Sequence, residues 1–173
     1  MTRTACARVL LLLLAACTGR ATTPAASGPH PVYSLVQADE DIDGVPAARY
    51  FTPGEPTIFV VFASWCVHCR RELAVLTQLR AAHPRVHVIG LNAYEEWDQA
   101  SDETQLRAYL AQNAPWLPVV RSDDAMLSGL GGVPKIPSLF VFDGRGALVQ
   151  TWKRNERAVP TREELEATLA PLL

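Results

Sequence analysis

The sequence predicts an α/β fold in which helices cover both faces of a mixed central sheet, preceded by an N-terminal β-hairpin. The first observation is the order of its patterned segments, which runs strand–helix–strand–helix–strand and then hairpin–helix. Helical crossovers join parallel strands, so the first half is expected to be parallel, whereas the late hairpin adds antiparallel strands. The second observation is the composition: 173 residues, 49% hydrophobic and 20% charged, suffice for one domain with a substantial core.

Short apolar segments bounded by turn residues predict the strands. The segments at 57–62 and 86–91 are almost wholly apolar, as expected for buried strands of a parallel sheet. A turn at 143–146 predicts the late hairpin. The strands of the central sheet are expected at 57–62, 86–91, 119–121, 139–142 and 147–152.

The N-terminal hairpin is predicted from the stretches at 32–36 and 42–45. Asp43-Gly44, within the second stretch, is typical of a tight turn and is expected to form the turn of the hairpin.

Capping residues and a 3.6-residue periodicity predict the helices. A helix at about 66–82 carries Cys69, Leu73 and Leu76 on one face and is closed by His83-Pro84. A short helical segment is expected at 125–130. Capping boxes predict two further helix starts, at Asp102 with Gln105 and at Thr161 with Glu164.

The first 17 residues are expected to be a signal peptide and not part of the fold. Arg3 and Arg8 precede the apolar run at 9–14, which is too short to span a bilayer. Leu14-Ala15-Ala16-Cys17 resembles the bacterial lipobox, which predicts lipidation of Cys17; an ordinary signal peptide with a chance cysteine is the alternative. The protein is therefore expected to be a membrane-anchored lipoprotein that faces the periplasm or the cell exterior.

Residues 18–31 are rich in Thr, Ala, Gly, Ser and Pro and lack an apolar period. Such a stretch is typical of a flexible tether, so the folded domain is expected at 32–173. The formal net charge of −2 and the lack of a basic stripe argue against nucleic acid as a partner.

The segment Cys66-Val67-His68-Cys69 carries the chemistry. It lies between a predicted strand and a predicted helix, so Cys66 is expected at a helix N-terminus, where the unpaired N–H groups and the helix dipole stabilise a thiolate. Cys69 is placed to be a buried resolving thiol. A zinc site would need two more ligands at matching spacing, and a purely structural disulfide would close too short a loop to stabilise much. Redox exchange is the favoured interpretation.

Three segments of this chain resemble the thioredoxin fold, and within it the TlpA/ResA-like extracytoplasmic thiol–disulfide oxidoreductases. They are the motif FASWCVHCRRE at 62–72, the segment at 133–138 and the hairpin at 142–146. The resemblance implies a cis peptide bond before Pro137, with Val133-Pro134 as the competing position. It also implies that the Ile136 backbone and Trp65 contact substrate, and it implies no cofactor and no metal.

The resemblance gives a chemical role to two further residues. Glu72 matches an acidic position of the subgroup, three residues after the second cysteine, where it would manage the proton of the buried thiol; a solvated surface Glu is the alternative. His68 replaces the proline usual in the subgroup. An imidazolium there would stabilise the Cys66 thiolate and make the pair more oxidising, or it would point into solvent with little effect.

The favoured function is a membrane-tethered reductase of disulfides in extracytoplasmic proteins, with Cys66 as nucleophile and Cys69 as resolving thiol. Its expected partners are protein substrates and a membrane electron donor, because the compartment is oxidising. The alternatives are a disulfide donor or isomerase, a Cu(I)-binding chaperone and a tethered binding module with vestigial cysteines.

Overall fold

The computed structural model describes residues 28–98 and 102–173. Five strands form one sheet in the order β3-β2-β1-β4-β5, with β1 parallel to β2, β2 parallel to β3, and β4 antiparallel to both β1 and β5. The strands are β1 Thr57–Phe62, β2 His87–Asn92, β3 Val119–Arg121, β4 Ser138–Phe142 and β5 Leu148–Trp152. The mixed sheet predicted from the sequence is therefore confirmed, with strand bounds within one residue of those expected.

Five α-helices accompany the sheet in the described part of the chain. They are α1 Pro31–Gln37, α2 Val67–Ala82, α3 Glu103–Asn113, α4 Asp124–Gly129 and α5 Arg162–Leu169. Helix α2 contacts α3 and α5, whereas α1 contacts α4. Every residue of β1 and β4 is buried, which requires cover on both faces of the sheet.

Helix α2 forms because its apolar residues lie on one face. Cys69, Leu73, Leu76 and Leu79 are fully buried, spaced three or four residues apart. The helix ends at its C-cap, His83, because the next residue is Pro84, which cannot continue it.

The predicted N-terminal β-hairpin is wrong, because residues 31–37, which include its first predicted strand, form helix α1. Pro31 occupies the first turn, where its missing N–H costs nothing, and the Nδ1 atom of His30 accepts the Val32 N–H at 3.3 Å. His30 and Pro31 therefore belong to the folded domain, although they were predicted to end the tether. The N–H of His30 also donates to Gly146 O at 2.8 Å.

Asp43-Gly44 does lie in a tight turn, as the sequence predicts. Asp41 donates its N–H to Val45 O at 2.9 Å, and Gly44 adopts a positive φ of 74°. A single bridge joins Glu40 to Pro46, and a second joins Asp41 to Val120 in β3. The turn thus lies against the edge strand of the sheet.

Aromatic residues fill the core beneath α1. The ring centroid of Tyr33 in α1 lies 5.9 Å from that of Phe59 in β1 and 5.4 Å from that of Phe142 in β4. Tyr33 also packs edge-on against Phe51, with ring centroids 4.8 Å apart. These contacts join α1 to β1 and β4, so the N-terminal helix belongs to the same core as the sheet.

Candidate active site

The Cys66–Cys69 pair lies beyond the C-terminal end of the central strand β1, where β1, α2 and the loop before β4 meet. Strand β1 ends at Phe62, and a four-residue connection leads into α2. Because β4 runs antiparallel to β1 and pairs Ser138 with Val61, Pro137 comes to the same end of β1. The register of β1 and β4 therefore brings together two segments some 70 residues apart in sequence.

The two cysteines form a disulfide with Cα atoms 5.2 Å apart. Their surroundings differ: Cys69 is fully buried, whereas 5% of Cys66 is exposed. Only Cys66 borders a surface groove, so only its sulfur can be approached by a second protein. This asymmetry is the one predicted for a nucleophilic and a resolving thiol.

Cys66 is the N-cap residue of α2. Its backbone is extended, and its Sγ accepts the N–H of Cys69 at 3.1 Å, the role that a Ser or Thr oxygen commonly plays at this position. An N–H donor and the positive end of the helix dipole thus converge on this sulfur. Both favour a thiolate once the disulfide is reduced.

The loop before β4 faces the disulfide. The Ile136–Pro137 peptide bond is cis, the geometry that the resemblance implies, and within the described residues the Val133–Pro134 bond is not. The carbonyl oxygen of Ile136 lies 3.9 Å from Cys66 Sγ. Backbone atoms of this loop are therefore within reach of any chain bonded to Cys66.

Glu72 is buried, which excludes a solvated surface carboxylate. It lies on α2 three residues beyond Cys69, and only 2% of it is exposed. Burial raises the pKa of Glu72 to about 7. Its Oε1 has no hydrogen-bond partner in the described part of the chain. A buried carboxyl group with a pKa near neutrality can both accept and release a proton under physiological conditions.

Trp65 and His68 lie beside the pair on the surface. Trp65 is half-buried, and its Nε1 donates to Tyr94 O at 2.8 Å, which holds the indole against the neighbouring loop. His68 is exposed. Both side chains line a groove of about 970 Å³ that also contains Cys66, Trp97, Ile136 and Arg154.

A buried polar cluster that sequence reasoning missed supports the connection before Cys66. The carboxylate of Glu95 accepts hydrogen bonds from the N–H of Ser64 at 3.1 Å, from the Ser64 hydroxyl and from Nδ2 of Asn92 at 2.6 Å. Arg121 in turn donates to Asn92 Oδ1 at 2.8 Å. The three-residue spacing of Asn92 and Glu95 at the end of β2 was the only local signal, because Ser64 lies 31 residues away.

Cys17, the predicted lipidation site, lies outside the described residues. None of the helices in the described ranges has the length and apolar character needed to cross a membrane. Within the same ranges, no three or more His, Cys, Asp or Glu side chains are grouped so that they could hold a metal ion.

The sequence is similar to thiol:disulfide interchange proteins named DsbE. It is 33% identical over 121 residues to the Xylella fastidiosa protein, a match that covers 69% of this chain and 56% of the relative. Identity to the Pseudomonas fluorescens protein is 30% over 121 residues, covering 69% and 64%. Thus the chain spans between about half and two thirds of the length of these relatives. No protein-family model matches the chain.

Solved structures share the fold. A secreted Mycobacterium tuberculosis disulfide oxidoreductase, described as homologous to E. coli DsbE, superposes with a TM-score of 0.60 at 20% identity, covering 78% of this chain and 94% of that one. A thioredoxin family protein from Chlorobium tepidum gives 0.61 at 19% identity, covering 77% and 90%. StoA from Bacillus subtilis gives 0.56 at 22% identity, covering 75% and 92%. The chain therefore has the thioredoxin-like fold predicted for it and is related in sequence to the DsbE thiol:disulfide interchange proteins.

Proposed function

We propose that this protein is a thiol–disulfide oxidoreductase that works outside the cytoplasm and reduces disulfides of other proteins. One observation carries the proposal: a disulfide whose groove-facing sulfur caps a helix, while its buried partner lies one turn from a buried carboxyl group. The similarity to thiol:disulfide interchange proteins supports it.

The reaction has two exchange steps. In the reduced protein, the Cys66 thiolate attacks one sulfur of a substrate disulfide, which forms a mixed disulfide and releases the other substrate sulfur as a thiolate. Cys69 then attacks Cys66 Sγ, forms the Cys66–Cys69 disulfide and releases the second substrate thiolate. Two electrons pass from the protein to the substrate, so a separate donor must reduce the pair again.

Glu72 accepts the Cys69 proton during the second step. Cys69 is fully buried and has no access to bulk solvent, so its proton needs an internal acceptor. Glu72 lies three residues farther along the same helix, and its pKa of about 7 makes it an effective base near neutral pH.

The groove holds the substrate next to Cys66. Ile136, before the cis-Pro137 bond, offers its backbone to an extended chain, and Trp65 forms part of the wall. His68 lies exposed in the same groove, where a positive charge would favour the Cys66 thiolate and shift the pair toward disulfide donation. The direction of electron flow is thus a question of redox potential.

The reduction potential of the Cys66–Cys69 pair tests the function and its direction together. Purified protein is equilibrated in glutathione or dithiothreitol buffers, and its thiol content is measured by alkylation and mass spectrometry. A potential near that of thioredoxin, about −270 mV, supports a reductase, whereas one near that of DsbA, about −120 mV, supports a disulfide donor. Failure to observe a reversible two-electron transition refutes both.

We further propose that a lipid on Cys17 tethers the domain to a membrane through residues 18–31, and that a membrane protein supplies its electrons. The lipobox-like segment at 14–17 supports the tether. Cys17→Ala should move the protein from the membrane fraction to the soluble fraction. If wild-type protein is already soluble and carries no lipid by mass spectrometry, the tether proposal is wrong.

A further inference from the structure

The charged side chains that line the groove beside Cys66 are those of Lys135 and Arg154. His68, Lys135 and Arg154 line it, and none of the ten described lining residues carries a carboxylate. The whole chain has a formal net charge of −2, so this local excess of basic side chains departs from the average surface. Within the described residues, neither Lys135 nor Arg154 forms a salt bridge.

Arg154 is held close to the reacting sulfur. Its Nη1 donates to the Ile136 carbonyl oxygen at 3.0 Å, and the same oxygen lies 3.9 Å from Cys66 Sγ. Nη1 is therefore no farther from the sulfur than the sum of these two distances. A guanidinium group has five N–H donors. In the described part of the chain, Nη1 is the only guanidinium nitrogen of Arg154 that has a hydrogen-bond partner. The N–H groups of the other two nitrogens are therefore available to a ligand in the groove.

Aromatic side chains also line the groove. Trp65 and Tyr94 are joined by the indole-to-carbonyl hydrogen bond, and Tyr94 Oη donates to Val133 O at 2.7 Å. Trp97 also lines the groove and is 79% exposed. Exposed aromatic residues beside unpaired arginines are typical of the anchor points of protein interfaces.

We propose that this groove selects an extended polypeptide with an acidic side chain two residues from its reacting cysteine. The inference rests on the proposed oxidoreductase function and names its substrate class. Charge complementarity carries it: the groove has three basic residues, no described carboxylate and a guanidinium with unused donors.

The position of the acidic residue follows from strand geometry. In an extended chain, alternate side chains point the same way, so residues two positions from the cysteine face the groove with it. Two residues span about 6.6 Å, which is comparable with the upper limit that these two contacts set on the distance between Cys66 Sγ and Arg154 Nη1. A carboxylate there reaches Arg154, and Lys135 lies on the adjoining rim.

The chemistry of the selected step is the first exchange described above. The Cys66 thiolate attacks the peptide sulfur of a peptide disulfide, the bond between the two substrate sulfurs breaks, and the second thiol leaves. Cys69 then displaces the peptide as its thiol. The two electrons come from the reduced cysteine pair, so no further reductant is needed for one turnover.

Matched peptides test the inference. Each carries one cysteine as a mixed disulfide with a coloured aromatic thiol, and has Glu, Gln or Lys two residues before or after that cysteine. The second-order rate constant with reduced full-length protein is measured from the released colour at low ionic strength. We expect the better Glu peptide to react about five- to tenfold faster than its Gln counterpart.

Variants distinguish the effect of Arg154 and Lys135, which line the groove, from the effect of the overall charge of the protein. Arg154→Gln should bring the Glu-to-Gln ratio close to one, Lys135→Gln should lower it partly, and Arg154→Glu should make the Lys peptide the faster one. Arg145→Gln is the matched control: its side chain is 85% exposed on the hairpin at the other end of β4, so losing that charge should leave the ratio unchanged. Because each result is a ratio within one variant, a loss of overall activity does not obscure it.

The outcomes distinguish the two proposals. If no peptide reacts, and no reversible redox transition of the pair is found, the proposed function fails. If Glu, Gln and Lys peptides react at equal rates in the wild-type protein, the function stands and the acidic-substrate inference is overturned. An equal fall of the ratio in Arg145→Gln and Arg154→Gln would overturn it as well.

Discussion

Glu72→Gln should change how the stability of the protein depends on pH. A carboxyl group whose pKa rises on folding stays protonated in the native state at pH values where the unfolded chain has lost the proton. The contribution of Glu72 to the free energy of unfolding is therefore fully present below its ordinary pKa of 4.5, and it is lost as the pH rises through the native pKa of about 7. Glutamine has nearly the same shape and does not titrate, so the variant lacks this loss.

The structure sets the size of the effect. One pKa unit corresponds to about 1.36 kcal/mol, so the displacement from 4.5 to about 7 corresponds to a loss of about 3 kcal/mol in the free energy of unfolding. The difference between variant and wild type should therefore grow by about 3 kcal/mol in favour of the variant between about pH 4 and pH 8. Any difference in stability that does not depend on pH, such as one from packing or from the buried amide of the Glu72→Gln variant, cancels when the two pH values are compared.

Urea unfolding of both proteins across that pH range measures the difference directly. The oxidised form is used so that neither cysteine titrates. Glu163→Gln, at an exposed position of α5, is the matched control for replacing a glutamate by glutamine. A Glu72→Gln difference that changes by less than about 1 kcal/mol from pH 4 to pH 8 would refute the assignment of a raised pKa to this residue.

Three further substitutions test the order of the exchange steps, the buried Glu95 cluster and the packing of the hairpin turn. Cys69→Ser should trap the mixed disulfide between Cys66 and a substrate peptide, seen as a stable adduct by mass spectrometry. Glu95→Ala leaves buried donors without their acceptor and should lower the free energy of unfolding by about 2–4 kcal/mol in urea titrations. Gly144→Ala places a Cβ in steric conflict with the backbone of Gly54 and should lower the free energy of unfolding by about 1–3 kcal/mol, measured in the same way.

Each of these changes has a control and a contrary outcome. Cys66→Ser should form no adduct through Cys69, so an adduct in that variant would contradict the order of attack. A loss below about 1 kcal/mol for Glu95→Ala would mean that water replaces the carboxylate. For the glycine, Gly28→Ala is the control, since its Cβ meets nothing within 4 Å, and equal effects of the two substitutions would contradict the steric argument.

Local patterns were enough to predict most of the elements. The bounds of β1 and β3 match the prediction: Pro56 precedes β1, and β3 lies between Pro118 and Ser122. Thr161 and Glu164 form the reciprocal capping box that their spacing predicts. Asp102 accepts the Gln105 N–H at 2.8 Å as the first half of its own predicted box. In these cases the stabilising contact joins residues close in sequence.

The errors arose where the decisive contact is distant or the pattern is ambiguous. Val32 and Val36 fit either a helix or a strand, because a spacing of four residues returns to the same face in both. Pro31 was the signal for a helix start, and Tyr33 is buried through contact with Phe51, 18 residues away. The Glu95 cluster could not be predicted for a similar reason, since its main partner lies on a different loop.

In the proposed mechanism, the different electrostatic surroundings of the two sulfurs set the order in which they react. On the groove side, Cys66 receives the N–H of Cys69 and lies near basic side chains, so its thiolate is stabilised. On the buried side, Cys69 has no contact with solvent. An ionised Glu72, one turn farther along the same helix, would place a second negative charge near a Cys69 thiolate. A Cys69 thiolate is therefore unfavourable until Glu72 takes up its proton. In the proposed mechanism, Cys66 of the reduced pair therefore attacks first, and Cys69 reacts only when Glu72 accepts its proton, so that Cys69 does not compete with Cys66 for substrate.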